Sequence, residues 1–237
     1  MSRTVVMIVL MLVAWAGGCS QKSSELSESH DALGELKRGN LRFSENHPAH
    51  PHEGAARRRE TSLGGQHPFA VVVACSDSRV PVELLFDQGI GDLFVIRVAG
   101  NVCGDDELGS IEYAVEHFGV RLVVILGHSH CGAVEAAVGC TNERDHVNQI
   151  LKRISPAVEA ARRADPSLDG EELVAASVRQ NVFHSMEELL KEAEEVRERV
   201  GEARVDVVGA VYDLSTARVE WLGPHPNQGE LAPHTAH

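Results

Sequence analysis

Phe69-Ala70-Val71-Val72-Val73-Ala74-Cys75-Ser76-Asp77-Ser78-Arg79 is the stretch on which the fold turns. Six apolar residues in a row, without polar alternation and rich in β-branched side chains, predict a strand buried on both faces of a parallel sheet. A thiol, two hydroxyls, a carboxylate and a guanidinium follow at once. Open α/β sheets bind ligands at the carboxyl ends of their strands, so these groups stand where chemistry is expected.

Working outward, Leu93 to Val98 and Leu122 to Leu126 are two more such runs. Between them, Leu108, Ile111, Ala114, Val115 and Phe118 recur at helical spacing over Glu107 to Phe118. Strand, helix, strand alternation predicts an α/β fold with a mostly parallel central sheet of about four to five strands, flanked by helices. Upstream, Leu33, Leu36, Leu41 and Phe43 predict a short helix or helix pair over Asp31 to Asn46, with a turn at Gly39-Asn40. Two prolines make His47 to His52 irregular, and its three histidines read as a solvated loop rather than a chelate. Downstream, Asn142 to Arg163 and Glu171 to Val200 predict amphipathic helices, the second ending at Gly201. The alternating charges of Lys191 to Arg199 suit a solvated helix face. Val205 to Tyr212 and Arg218 to Leu222 predict an edge hairpin. Neither repeat nor linker interrupts residues 31–223, which form one domain, and 224–237, with Pro224, Pro226 and Pro233, reads as a disordered tail.

The chain has 237 residues, 43% of them hydrophobic and 24% charged, which suits a globular domain with a buried core. Its formal net charge is −13, which disfavours nucleic acid and anionic lipid headgroups as partners. Six Phe, two Trp and two Tyr are too few for a base-stacking platform. Arg3, the apolar run from Val5 to Ala16 and Gly17-Gly18-Cys19 match a secretory signal over residues 1–18 that is too short to span a bilayer comfortably. A Cys after small residues resembles a bacterial lipoprotein signal, with Cys19 lipidated and 19–30 as a polar tether. The expected location is the cell envelope, periplasmic, with contact to the membrane through that lipid only.

Cys75, Cys103, Cys131 and Cys140 remain for other work. Cys75 ends the first buried strand, and Cys131 follows the third in Gly127-His128-Ser129-His130-Cys131-Gly132. With His128 they offer two thiolates and one imidazole, the borderline-soft set that zinc selects, and three protein ligands leave a fourth position for water. In an extended backbone Cys75, Asp77 and Arg79 share one side. Asp77 is then either a fourth ligand, closing the site, or a hydrogen-bond acceptor beside the reacting water, with Arg79 holding it off the metal. Cys103 and Cys140 are either a disulfide or two small buried hydrophobes, and spacing alone does not decide.

Cys75-Ser76-Asp77-Ser78-Arg79-Val80-Pro81, followed some fifty residues later by Gly127-His128-Ser129-His130-Cys131-Gly132-Ala133-Val134, resembles the paired signature of the β-class carbonic anhydrases. The resemblance runs from about Leu33 to Leu222. It implies one zinc per chain on Cys75, His128 and Cys131, a catalytic pair Asp77 and Arg79, and a carbon dioxide pocket with Gln66, Phe94, Ala99 and Tyr113. It also implies a homodimer or tetramer in which Tyr113 reaches the neighbouring site. Some family members carry a separate bicarbonate site that uses a Trp and an Arg; Val72 stands in place of that Trp while Arg97 matches the Arg, so the open form of the site is expected. The implied reaction is reversible hydration of carbon dioxide to bicarbonate and a proton. Two thiolates already offset the charge of Zn²⁺, so activity is expected to need mildly alkaline pH. His130 is a candidate proton shuttle, though a packed or solvated turn residue is the simpler account. Carbonyl sulfide or carbon disulfide hydrolysis on the same zinc, and a non-catalytic zinc-binding lipoprotein, are the alternative functions. A cysteine phosphatase is excluded by the short spacing of Cys75 and Arg79 and by the carboxylate between them.

Overall fold

The computed structural model describes residues 17–140 and 144–234, with side chains from Asp31 onward. The predicted leader therefore lies almost wholly, and the Cys19 side chain entirely, outside the described residues. Five strands, β1 (Ala70–Cys75), β2 (Leu93–Val98), β3 (Leu122–His128), β4 (Asp206–Tyr212) and β5 (Val219–Gly223), form one sheet in the order β2-β1-β3-β4-β5. The first four run parallel, and β5 pairs antiparallel with β4 as the predicted edge hairpin. From β1 the chain moves to one side to make β2 and then crosses to the other side for β3. The reversal leaves a crevice between the carboxyl ends of β1 and β3, where Cys75 and His128 are the last strand residues.

Burial on both faces explains the unbroken apolar runs. Val71, Val73, Val123 and Ile125 face a core shared with α4 (Asp105–His117), α7 (Gly170–Glu192) and α8 (Glu194–Gly201). Ala70, Val72, Ala74, Val124 and Leu126 face a second core with Leu36 of α1 (Gly17–Ser44) and with Val82 and Leu85 of α3 (Val82–Leu85). A third cluster joins Cys75 and Cys131 to Val134 of α5 (Gly132–Val138), Ile154 of α6 (Asp145–Ala164) and Val178 of α7.

Several sequence expectations need correction. The turn expected at Gly39-Asn40 does not form: α1 continues through both residues to Ser44. A Cβ on Gly39 would overlap the Phe86 carbonyl oxygen, so this glycine permits a close crossing of α1 over the residues after α3. Asn40 is buried and donates Nδ2–H bonds to the carbonyls of Leu85 (3.1 Å) and Ala217 (3.0 Å), while its Oδ1 accepts from the Val219 N–H at 2.9 Å. The same helix covers the predicted tether, which contains neither Gly nor Pro to break it. A second helix, α2 (Ala55–Gly64), has no counterpart in the hydrophobic pattern: it buries no residue, so its sequence carries no apolar stripe. The expected single helix over 171–200 is broken at Ala193, whose ψ of 93° leaves the helical range. The tail is ordered through His234: α9 (Gln228–Leu231) packs Leu231 and Ala232 against the first core, and His234 Nδ1 lies 3.0 Å from the Gly201 carbonyl oxygen. Two apolar residues suffice to seat it. No described helix is long and apolar enough to cross a membrane.

Candidate metal centre

β1, β3 and the amino end of α5 bring Cys75, His128 and Cys131 together. Their donor atoms lie within 4.8 Å of one another, and no other group of three such side chains is found among the described residues. All three are buried, His128 completely. The imidazole is oriented by a backbone contact: its Nδ1 is 2.9 Å from the Ser129 carbonyl oxygen, which can only accept, so Nδ1 carries the proton and Nε2 the lone pair. That Nε2 is buried and has no hydrogen-bond partner. An orphaned buried acceptor facing two sulfurs is a donor arrangement that a metal ion would satisfy. Two thiolates and one imidazole with donor atoms this close are the kind of set that would hold zinc. The residues fit zinc.

The sulfurs are electrostatically unequal. A hydrogen bond from the Cys131 thiol, together with the N–H groups of Gly100 (3.2 Å) and Asp77 (3.4 Å), draws the Cys75 thiol well below its ordinary range despite burial. The Cys131 thiol is pushed up by the same contact and by burial. A divalent cation removes the inequality by stabilising both thiolates. Gly100 can serve Cys75 because of its backbone: at φ 72° it is left-handed, and a Cβ there would meet Ile154 Cδ1 at 2.6 Å.

Asp77 sits beside the group, with one carboxylate oxygen 3.9 Å from His128 Nε2. It is held by Arg79 three times: the Arg79 N–H and Nε donate to Oδ1, both at 2.9 Å, and Nη2 donates to Oδ2 at 2.7 Å. The guanidinium keeps the carboxyl far below the usual carboxylate range. Arg79 also donates to the His130 carbonyl oxygen at 3.1 Å, tying the two motifs together. Arg97, on β2, was matched to a bicarbonate site by resemblance. Here its guanidinium is engaged with backbone, Nε with the Cys75 carbonyl (3.1 Å) and Nη2 with that of Asp77 (2.6 Å). Val72, in place of the Trp, is buried in the sheet.

The carbonic anhydrase family model matches residues 70–219, from the first strand through the hairpin. The chain belongs to the β-class carbonic anhydrase family. It is 38% identical over 199 residues to carbonic anhydrase 2 of Mycobacterium tuberculosis, covering 82% of this chain and 93% of that protein. It is 39% identical over 200 residues to a carbonic anhydrase of Mycolicibacterium smegmatis, covering 83% and 94%. Among solved structures, it resembles the β-carbonic anhydrase CafA of Aspergillus fumigatus with a TM-score of 0.66 at 27% identity, over 88% of this chain and 99% of that one. It also resembles tetrameric β-carbonic anhydrases of Sordaria macrospora, with a TM-score of 0.62 at 26% identity over 86% and 98%.

Of the four pocket residues that family resemblance implied, only Ala99 adjoins the ligands: it opens a 3-10 turn, Ala99–Asn101, one residue before the Gly100 N–H that reaches Cys75. Phe94 pairs in register with Val71, at the far end of β1 from Cys75, and packs with Tyr113 and Phe118. Gln66 is exposed and precedes β1. Within one chain, Phe94 and Tyr113 therefore lie together away from the three ligands. Of the remaining cysteines, Cys103 is buried and free, with burial first among the causes that push its thiol up to about 12, and Cys140 is exposed and free. In the histidine loop, His50 pairs with Glu53 and His52 with Asp92.

Proposed function

We propose that this chain catalyses the reversible hydration of carbon dioxide on a zinc held by Cys75, His128 and Cys131, in the open form of the site. The observation that carries the reading is the buried, unpaired His128 Nε2 among two sulfurs, with the Arg79-bound Asp77 beside it. Zinc in such a site supplies Lewis acidity, which makes water a nucleophile near neutral pH. The chain's own residues do the rest. Asp77, ionised and acceptor-only, takes the O–H of the attacking water and so aims its lone pair at carbon. Arg79 fixes that carboxylate and, with both of its oxygens engaged, keeps it from the metal. Arg97 holds the carbonyls that set the turn between Cys75 and Asp77. Bicarbonate departs, and one proton per turnover passes to buffer.

The pocket is completed by a second copy, with Gln66, Phe94 and Tyr113 of one protomer serving the site of its partner; the position of Phe94 on the edge strand β2 and the half-exposed Tyr113 support this. Export and lipidation at Cys19 rest on the sequence alone, on the apolar run that ends in Ala16-Gly17-Gly18-Cys19. A mass shift on Cys19, lost in Cys19→Ala together with membrane attachment, is the expected result.

The central test combines metal content with stopped-flow carbon dioxide hydration for the wild type and Asp77→Ala. One zinc per chain in both, with turnover lost only in the variant, is expected. Normal zinc with undiminished turnover in the variant removes the mechanism. Turnover of carbonyl sulfide or carbon disulfide, but not carbon dioxide, would reassign the substrate.

A further inference from the structure

A cavity of about 250 Å³ is walled by Val102 and Cys103 after the 3-10 turn, by Lys152, Arg153 and Pro156 of α6, and by His184, Ser185 and Glu188 of α7. Three of these residues are basic and one is acidic, in a chain whose net charge is −13. Among the described residues, neither Lys152 nor Arg153 is in an ion pair, and the one hydrogen bond of the Arg153 side chain runs from Nη1 to the Cys103 carbonyl oxygen at 3.3 Å. Elsewhere on the molecule, basic side chains such as Arg38, Arg42, Arg57, Arg79 and Lys191 are spent on carboxylates. A concave site with a surplus of unspent cations raises the local concentration of anions.

We propose that this cavity binds a small phosphate-type oxyanion, free or as the monoester of a short alcohol, and that occupancy is transmitted to the metal centre through residues 100–103. A guanidinium fork and a point-like ammonium together suit several oxygens on one tetrahedral centre better than the single plane of a carboxylate. Glu188 offsets one of the two permanent positive charges. Glu107, outside the lining, keeps its carboxylate on the Gly104 N–H beside the Arg153 guanidinium; the lining itself carries one net positive charge, and the cavity is larger than a bare phosphate ion requires.

The connection to the metal centre is a chain of hydrogen bonds. An oxyanion held by Arg153 competes with the Cys103 carbonyl for the same guanidinium. Two residues back, Ser185 Oγ donates to the Asn101 carbonyl at 3.0 Å, and Asn181 Nδ2 donates to that of Gly100 at 2.7 Å. Gly100 in turn donates its N–H to Cys75 Sγ. Asn101 is left-handed, at φ 44°, and these contacts fix the carbonyls on either side of that turn. The site lies apart from Asp77 and Arg79, and its failure would leave the hydration reading standing.

Calorimetric titration of the zinc-loaded full chain with inorganic phosphate, and separately with glycerol 3-phosphate, tests the proposal. One saturable site per chain is expected, weakened about tenfold or more in Lys152→Glu and retained in Lys152→Arg. The rate at which a coloured chelator strips zinc should change on adding phosphate to the wild type and stay constant in Lys152→Glu. Tighter binding of glycerol 3-phosphate supports the monoester as occupant, and equal binding supports the free ion. Absence of saturable binding, or binding equally tight in Lys152→Glu, as would follow if phosphate sat on the metal instead, overturns the proposal.

Discussion

Arg79 gives a backbone N–H and two guanidinium donors to a single carboxylate, so Asp77 is depressed well below its ordinary pKa and stays ionised throughout the working range. A depressed acid loses its contribution only as pH falls through its own low value, so Asp77 cannot be the group that titrates near neutrality. The kcat/KM profile should therefore rise toward mildly alkaline pH with a limb set by the water that the metal activates. A profile flat down to about pH 6 contradicts this assignment. Asp77→Ala should lower kcat/KM roughly 10²-fold or more with zinc content unchanged, because it removes an acceptor and leaves the three donors in place. Arg97 acts at one remove, through the Cys75 and Asp77 carbonyls. Arg97→Met should lower kcat more than it raises KM, with partial recovery in Arg97→Lys, which restores one donor. Removing the metal exposes a different property of the same sulfurs. With Cys75 favoured as thiolate and Cys131 beside it as the thiol, chelation in air should join them as a disulfide, releasing the one remaining thiol proton and passing two electrons to oxygen. A thiol count should show two thiols lost per chain, zinc alone failing to restore activity and zinc with a reductant restoring it. Full recovery with zinc alone would show that no such bond had formed.

Elements are held in place by single polar residues that the hydrophobic pattern does not announce. Asn40 joins α1 to the end of α3 and to the start of β5 with three hydrogen bonds, all from one buried amide. Asn40→Ala should cost about 2–4 kcal/mol, since it leaves two carbonyls and one N–H without partners, and thermal unfolding at a Tm several degrees lower is the check. Gly39→Ala should cost at least as much, because the Phe86 carbonyl belongs to backbone that cannot rotate away. The same pair shows where sequence reading stopped short. Gly39-Asn40 carries the composition of a turn, and only tertiary contact turns it into the hinge point of a packed helix. β1, β2 and β3 were legible because a strand covered on both faces must be apolar at every position, and α4 because it is covered on one. α2 was not legible, because it buries nothing, nor was the break at Ala193, which no Gly or Pro marks. At the metal centre, ligands were legible from residue type and position after a strand. The roles of Arg97 and Gly100 were not, since both act through backbone atoms whose neighbours exist only once β1 and β2 are paired.

Across the whole molecule, the geometry of the sheet decides how many chains one active site needs. Phe94 is four rungs below Cys75 on the β1–β2 ladder, and with about 3.3 Å per residue the separation is roughly 13 Å, beyond the reach of a Phe ring. Gln66 lies in the exposed segment before β1. Tyr113 travels with Phe94, their ring centroids 6.4 Å apart. On the function proposed above, these residues serve the metal centre of another copy, across the β2 edge, where a two-fold axis would let each protomer supply what its partner lacks. Mixing two inactive variants tests this directly. Cys131→Ser has no metal site but keeps its Phe94 and Tyr113, while the double variant Phe94→Ala, Tyr113→Ala keeps its metal site but cannot complete a partner. Refolded alone, each should be nearly inactive. Refolded together in equal amounts, half of the dimers are mixed and one site in each of these is whole, so about a quarter of the wild-type activity should return. If each chain completed its own pocket, mixed dimers would hold no intact site, and the activity of the mixture would not exceed that of the two variants measured apart.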